Sequence, residues 1–260
     1  MRQNTGGFSD CIFDLYGTLV DIRTNEEKPE VWERLSQFYA YYRAFYAPEE
    51  MHAAYDRLTK NLSAGKEGVR RDSHEAFPEI QIEEVFRALF EEKGAEADEP
   101  LVRHAGQFFR ILTTEKLRLY DGTKKMLQTL RDRGKKVYLL SNAQKIFTEY
   151  EMNALDITQY FDAIFLSSEH GCKKPDSQFF QKMIDTCHIK PDKAVMVGND
   201  GACDIEGAKR SGLSTVYVRT EISPEETLPD ADHVLEKMDM VRITELLCGR
   251  YMVLRRSWNT

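Results

Sequence analysis

The sequence predicts an α/β protein: a doubly wound parallel sheet with an all-helical unit inserted near its start. Three observations carry this. Five short apolar runs, at residues 11–13, 137–140, 163–166, 194–197 and 215–218, are bounded by turn residues or followed by helical patterns. Each is continuously apolar rather than alternating, as a sheet covered on both faces requires. Helical segments lie between the last four runs, and strands alternating with helices wind into a parallel sheet.

Along the chain, residues 11–13 are the first strand. The stretch 22–117 then breaks the alternation. Val31, Leu35, Phe38, Tyr39, Tyr42 and Phe45 fall at helical spacing, as do Ile82, Val85, Phe86, Leu89 and Phe90. Residues 65–73 are a charged, glycine-containing connector between the two patterns. An insertion of this length is too long for one crossover helix, so it reads as a second, all-helical domain. The alternation resumes with a helix at 123–133 before the second strand and another at 177–187 after the third. A helix at 205–210 follows the fourth strand. The basic tail after Leu247 is left unassigned.

Composition narrows the function. With 42% hydrophobic residues in 260, the chain has ample material for a core. Its formal net charge of −7 disfavours nucleic acid and anionic membrane surfaces as partners. No apolar run approaches the roughly 20 residues that span a bilayer, and the polar start, Met1 to Asp10, lacks the apolar stretch of a signal peptide. Cys11, Cys172, Cys187, Cys203 and Cys248 are scattered without a CxxC pair. Free thiols in a reducing compartment are expected, and with them a cytoplasmic location and no zinc site.

Four polar sites sit just past the ends of the first four strands, at the edge where open α/β sheets bind ligands. Asp14 follows the first strand, with Gly17 permitting a tight turn and Thr18 able to brace the loop. Ser141 and Asn142 follow the second and offer a hydroxyl and an amide to an oxyanion. Lys174, pinned before Pro175, brings an ammonium from the loop after the third. Asn199, Asp200 and Asp204 follow the fourth, a set of hard oxygen donors that suits Mg²⁺. Each site alone has a plainer explanation as a loop, a solvated charge or a helix cap; their joint occurrence in this order is the signal.

In that order they resemble the motifs of the haloacid dehalogenase-like (HAD) superfamily of aspartate-nucleophile hydrolases. IFDLYGTLVD is similar to motif I, LLSNA to motif II, KKPDSQFF to motif III and VGNDGACDIEGAKRSG to motif IV. The resemblance covers about residues 9–21 and 119–247. It implies a Rossmann-like core of residues 1–21 and 118–260, strand order 5-4-1-2-3, and a C1-type helical cap of residues 22–117. It also implies roles. Asp14 is the covalent nucleophile; Tyr16, Ser141 and Lys174 join it in catalysis; Thr18, Ser141, Asn142 and Lys174 bind substrate. Mg²⁺ is held by Asp14, the main-chain oxygen of Tyr16, Asn199, Asp200 and Asp204, and the substrate is a small phosphorylated molecule.

Two departures from the family pattern pull in opposite directions. Family phosphatases carry a second Asp two residues after the nucleophile, as general acid for the leaving oxygen, a role worth about 10²–10⁴-fold. Here that position is Tyr16, a weaker acid with an ordinary pKa of about 10. Dehalogenases of this superfamily share the DxYGT pattern, since halide leaves without a proton. Tyr16 thus points to C–halogen chemistry, or to an easily lost leaving group such as that of an acyl phosphate or anhydride. In motif IV, Asn199 replaces the first acid of the commonest pattern, while Asp200 and Asp204 keep two carboxylates that favour a cation and phosphoryl transfer. The expectation is a Mg²⁺-dependent phosphohydrolase. A metal-independent 2-haloacid dehalogenase is the alternative, with Arg43, Tyr39, Tyr42 and Phe45 as candidate pocket residues, though aromatics at this spacing also suit a plain core. A catalytically weak binding or regulatory protein is the third.

Overall fold

The computed structural model describes residues 7–64, 79–224 and 227–249; most of the tail and the connector at 65–73 lie outside them. Strand β1 (Asp10–Phe13) leads through a tight loop into β2 (Val20–Thr24), and four helices follow: α1 (Pro29–Tyr41), α2 (Pro48–Ala64), α3 (Ile82–Glu91) and α4 (Glu99–Thr113). Strand β3 (Thr114–Leu119) returns antiparallel to β2. The chain then alternates through α5 (Thr123–Asp132), β4 (Lys136–Ser141), α6 (Lys145–Ala154), β5 (Ala163–Leu166), α7 (Ser167–His170), α8 (Ser177–Cys187), β6 (Ala194–Gly198), α9 (Gly207–Arg210) and β7 (Ser214–Val218). It closes with β8 (His233–Leu235) and α10 (Met240–Cys248). No helix among the described residues is long and apolar enough to cross a membrane.

The main sheet runs β5-β4-β1-β6-β7-β8, all parallel. Counted over the five predicted strands this is the order 5-4-1-2-3, with β8 added at one edge. β8 is short and mostly exposed, so it leaves no apolar run to read. The β2–β3 pair is also new: its residues mix buried and exposed positions, unlike the fully apolar core strands. It forms the two-stranded stalk from which the helical insertion departs. A further correction falls after β6, where Gly201–Glu206 forms a π turn before α9, in place of an α-helix from residue 205.

Apolar packing separates the helical insertion from the sheet. One cluster fills the side of the sheet covered by α5 and α10, a second the side covered by α8, and a third lies among α1–α4. Val85, Phe86, Leu89 and Phe90 on α3 are fully buried in the third, each burial stabilising by roughly 1.5–3 kcal/mol. Asp98 caps α4 by accepting from Leu101 N at 2.9 Å. Ile146, at the start of α6, belongs to this third cluster. A side chain at Gly106 of α4 would collide with it, so α4 lies directly on α6.

The pattern that runs from Val31 to Phe45 breaks where α1 ends, at Tyr41. Arg43 turns through φ 69° and is exposed, as are Tyr42 and Phe45. Tyr39 is core: its hydroxyl donates to Phe86 O at 2.9 Å and its ring stacks on Phe90 at 4.1 Å. None of these four residues lines the cleft described next, which removes them as the haloacid pocket.

Candidate active site

Parallel pairing of β1 with both β4 and β6 brings the ends of three strands together. Asp14 extends β1 by donating its N–H to Val197 O at 3.0 Å. Its Oδ1 accepts from Ser141 Oγ at 3.0 Å and from Lys174 Nζ at 2.8 Å. The same ammonium donates to Asp204 Oδ1 at 2.6 Å. Lys174 and Asp204 are almost wholly buried. Burial alone would discharge Lys174, but the two carboxylates outweigh it and hold the ammonium well above its ordinary range. Burial raises the Asp204 carboxyl, against the pull of Lys174 and with help from Asp14. Among the described residues no donor holds Asp14 Oδ2. That oxygen is free to act in a cleft of about 250 Å³.

The other expected residues gather around this core, several in different roles. The oxygen and nitrogen of the Asn142 side chain grip the main chain of Lys174: Oδ1 accepts from Lys174 N at 2.7 Å and Nδ2 donates to Lys174 O at 2.9 Å. Asn142 therefore fixes the lysine loop while also lining the cleft. Thr18 is fully buried and donates to Asn199 Oδ1 at 3.3 Å; it braces the loop and does not line the cleft. Asp200 caps the π turn, its Oδ1 accepting from Cys203 N at 2.7 Å, while its own N–H donates to Asp204 Oδ2 at 3.0 Å. Gly198 must be glycine, because a Cβ there would collide with the Asp204 carboxylate.

Tyr16 differs most from expectation. Tyr16 lines the cleft, but its hydroxyl donates to Glu151 Oε2 and lies 3.0 Å from Thr148 Oγ1, both on α6. Burial and the Glu151 charge push the phenol far above its ordinary pKa.

The family model of haloacid dehalogenase-like hydrolases matches residues 11–212. The chain belongs to this family. Among curated relatives it is 30% identical over 158 residues to a phosphoserine phosphatase of Thermus thermophilus, a match covering 61% of each chain. It is 32% identical over 118 residues to a glyceraldehyde 3-phosphate phosphatase of Methanothermobacter thermautotrophicus, covering 45% of this chain and 50% of the relative. The chain thus spans about half to three-fifths of the length of these two relatives. A solved 2-haloacid dehalogenase of Pseudomonas syringae shares the fold, with a TM-score of 0.59 and 18% identity over 92% of this chain and 98% of that one.

Within this HAD-like hydrolase, three features of the site escape sequence reading. Glu151 and Arg110 engage Tyr16 from helices far away in sequence, with no local signal at either position. Ile222 and Pro224, in the loop after β7, add an apolar wall to the cleft; a motif search has no reason to stop there.

Gly17 provides a test of the loop. It sits at φ 81°, and a Cβ on it would lie 2.5 Å from Asn199 Nδ2. Gly17→Ala is expected to destabilise the protein by about 1–3 kcal/mol and to lower turnover with it, measured by denaturant titration beside an activity assay. Wild-type stability in this variant would show that the loop relaxes freely.

Proposed function

We propose that this HAD-like hydrolase is a Mg²⁺-dependent phosphohydrolase acting on a small phosphorylated metabolite through an aspartyl-phosphate at Asp14. The observation that carries the reading is the Asp14–Lys174–Asp204 triad. One carboxylate oxygen of Asp14 is held by a serine and a lysine, the other accepts from no donor among the described residues, and a second carboxylate is buried alongside. The phosphatase relatives support it. We also propose the division into a core of residues 1–21 and 118–260 and a cap of residues 22–117, supported by the apolar cluster of α1–α4, which among the described residues takes only Ile146 and Phe147 from the core.

In this mechanism Lys174 orients Asp14 and compensates negative charge as the phosphoryl group arrives. Ser141 holds Oδ1, so that Oδ2 attacks phosphorus and the bond to the leaving group breaks. Water then hydrolyses the acyl phosphate and releases inorganic phosphate. Asp14, Asp200, Asp204, the Tyr16 carbonyl and the Asn199 side-chain oxygen, which keeps a second lone pair beside its bond from Thr18, are the candidate donors, and one or two of the carboxylates would hold the metal. Among the described residues no three His, Cys, Asp or Glu side chains enclose a metal position. The donor set nonetheless fits Mg²⁺, which takes one or two carboxylates and keeps several waters. When bound, the ion would shield the nucleophile from the phosphate charge.

Phosphate release from p-nitrophenyl phosphate or acetyl phosphate is expected to need Mg²⁺ and to stop with EDTA. Tyr16 favours a second reading, the metal-independent 2-haloacid dehalogenase, for which chloride release from 2-chloropropionate in EDTA is the decisive result. Among the described residues no cationic side chain of the cap lines the cleft, and Arg43 is exposed in a turn away from it.

A further inference from the structure

Tyr16 lines the cleft, but its hydroxyl turns to α6. Tyr16 Oη is committed to Glu151 on α6, and Glu151 is buried. Arg110, from α4 of the helical insertion, holds Glu151 in turn: Nε donates to Oε1 at 2.5 Å and a terminal nitrogen to Oε2 at 3.4 Å. The guanidinium lies 5.2 Å from the Phe147 ring centre and 5.6 Å from that of Tyr16, a cation over two aromatic faces. Moving the phenol toward a substrate would strip a partner from a buried, charged network.

Among the described residues, other polar cleft side chains are already engaged. Asp14 and Asp204 accept hydrogen bonds from Lys174, at 2.8 and 2.6 Å. Ser141 donates to the nucleophile itself. Asp200 accepts from Cys203 N at 2.7 Å and caps the turn.

We infer that the site transfers phosphoryl groups from compounds whose leaving group departs as a stabilised anion, namely acyl phosphates, phosphoanhydrides or aryl phosphates. Glu151 and Arg110 are then positioning residues that hold Tyr16 away from the leaving oxygen. The inference rests on the phosphohydrolase reading above. As Asp14 Oδ2 bonds to phosphorus, the electron pair of the breaking P–O bond stays on the leaving oxygen. A carboxylate or aryloxide carries that charge and takes its proton later from water; an alkoxide needs the proton in the transition state.

The test is a leaving-group series on the wild-type protein with Mg²⁺: p-nitrophenyl, p-chlorophenyl and phenyl phosphate, similar in shape, with acetyl phosphate and glycerol 2-phosphate at the extremes. The quantity read is kcat/KM, which reports phosphoryl transfer to Asp14, with Asp14→Asn as the blank. A fall on the order of 100-fold from p-nitrophenyl to phenyl is expected, with acetyl phosphate fastest and the alkyl ester slowest. Tyr16→Phe is expected to keep the same slope, because the hydroxyl it deletes is not at the leaving oxygen. A shallow wild-type slope, or one that steepens in Tyr16→Phe, overturns the inference while leaving the phosphohydrolase reading intact. No phosphate from any member, acetyl phosphate included, overturns that reading and this inference with it.

Discussion

Asp14→Asn is expected to abolish turnover, by a factor on the order of 10⁴ or more, while leaving the fold intact. The amide keeps the shape of the carboxylate but has no oxygen nucleophilic enough to form the acyl phosphate. Ser141 still has an oxygen to donate to, and Lys174 keeps Asp204 as a counterion at 2.6 Å. Circular dichroism and thermal melts should therefore overlay those of the wild type, while phosphate release falls to the blank. Residual turnover above about 1% of wild type in homogeneous variant would require a different nucleophile and sink the mechanism.

Lys174→Met is expected to cost both stability and activity. The ammonium is 2% exposed and is the shared partner of two carboxylates. Its removal leaves buried like charges without a counterion, a loss of about 3–5 kcal/mol by analogy with other broken buried pairs. Turnover should fall on the order of 10²–10³-fold, as when a preorganised charge is removed from a reacting centre. The pH dependence separates this from simple loss of packing. Without Lys174, burial and the Asp14 charge raise the folded-state pKa of Asp204 further above its unfolded value. The protonated folded form then bears no charge penalty at low pH, and the penalty grows as pH rises through that folded pKa. The gap in Tm between wild type and Lys174→Met should therefore narrow from pH 8 to pH 5. A gap independent of pH would mean that the triad contributes packing alone.

These two experiments address the part of the site that the sequence makes legible. Asp14, Ser141, Lys174 and Asp204 each stand just after an apolar strand or in the loop that follows it. In a parallel sheet every such position comes to the same edge, because all the strands point the same way. Local order along the chain is thus enough to collect them. The fully apolar strands were readable for the same reason that β8 and the β2–β3 stalk were not: burial on two faces leaves a continuous run, and partial burial leaves a mixed one.

The direction in which a polar side chain turns is a different matter. Thr18, expected at the substrate, binds Asn199 instead, and Asn142 lines the cleft while gripping the Lys174 main chain. Tyr16 was weighed as an acid, and its hydroxyl went to Glu151. In each case the partner lies 32 or more positions away, and no spacing rule reaches that far. The sequence by itself determined the fold class, the membership in a family of hydrolases and the residues that meet at the sheet edge, because strand periodicity and strand-end chemistry are local properties. Only the tertiary structure decided which of those residues face the substrate and which hold the others in place, because a hydrogen-bonding group in a buried site turns to whatever partner folding brings within about 3 Å of it.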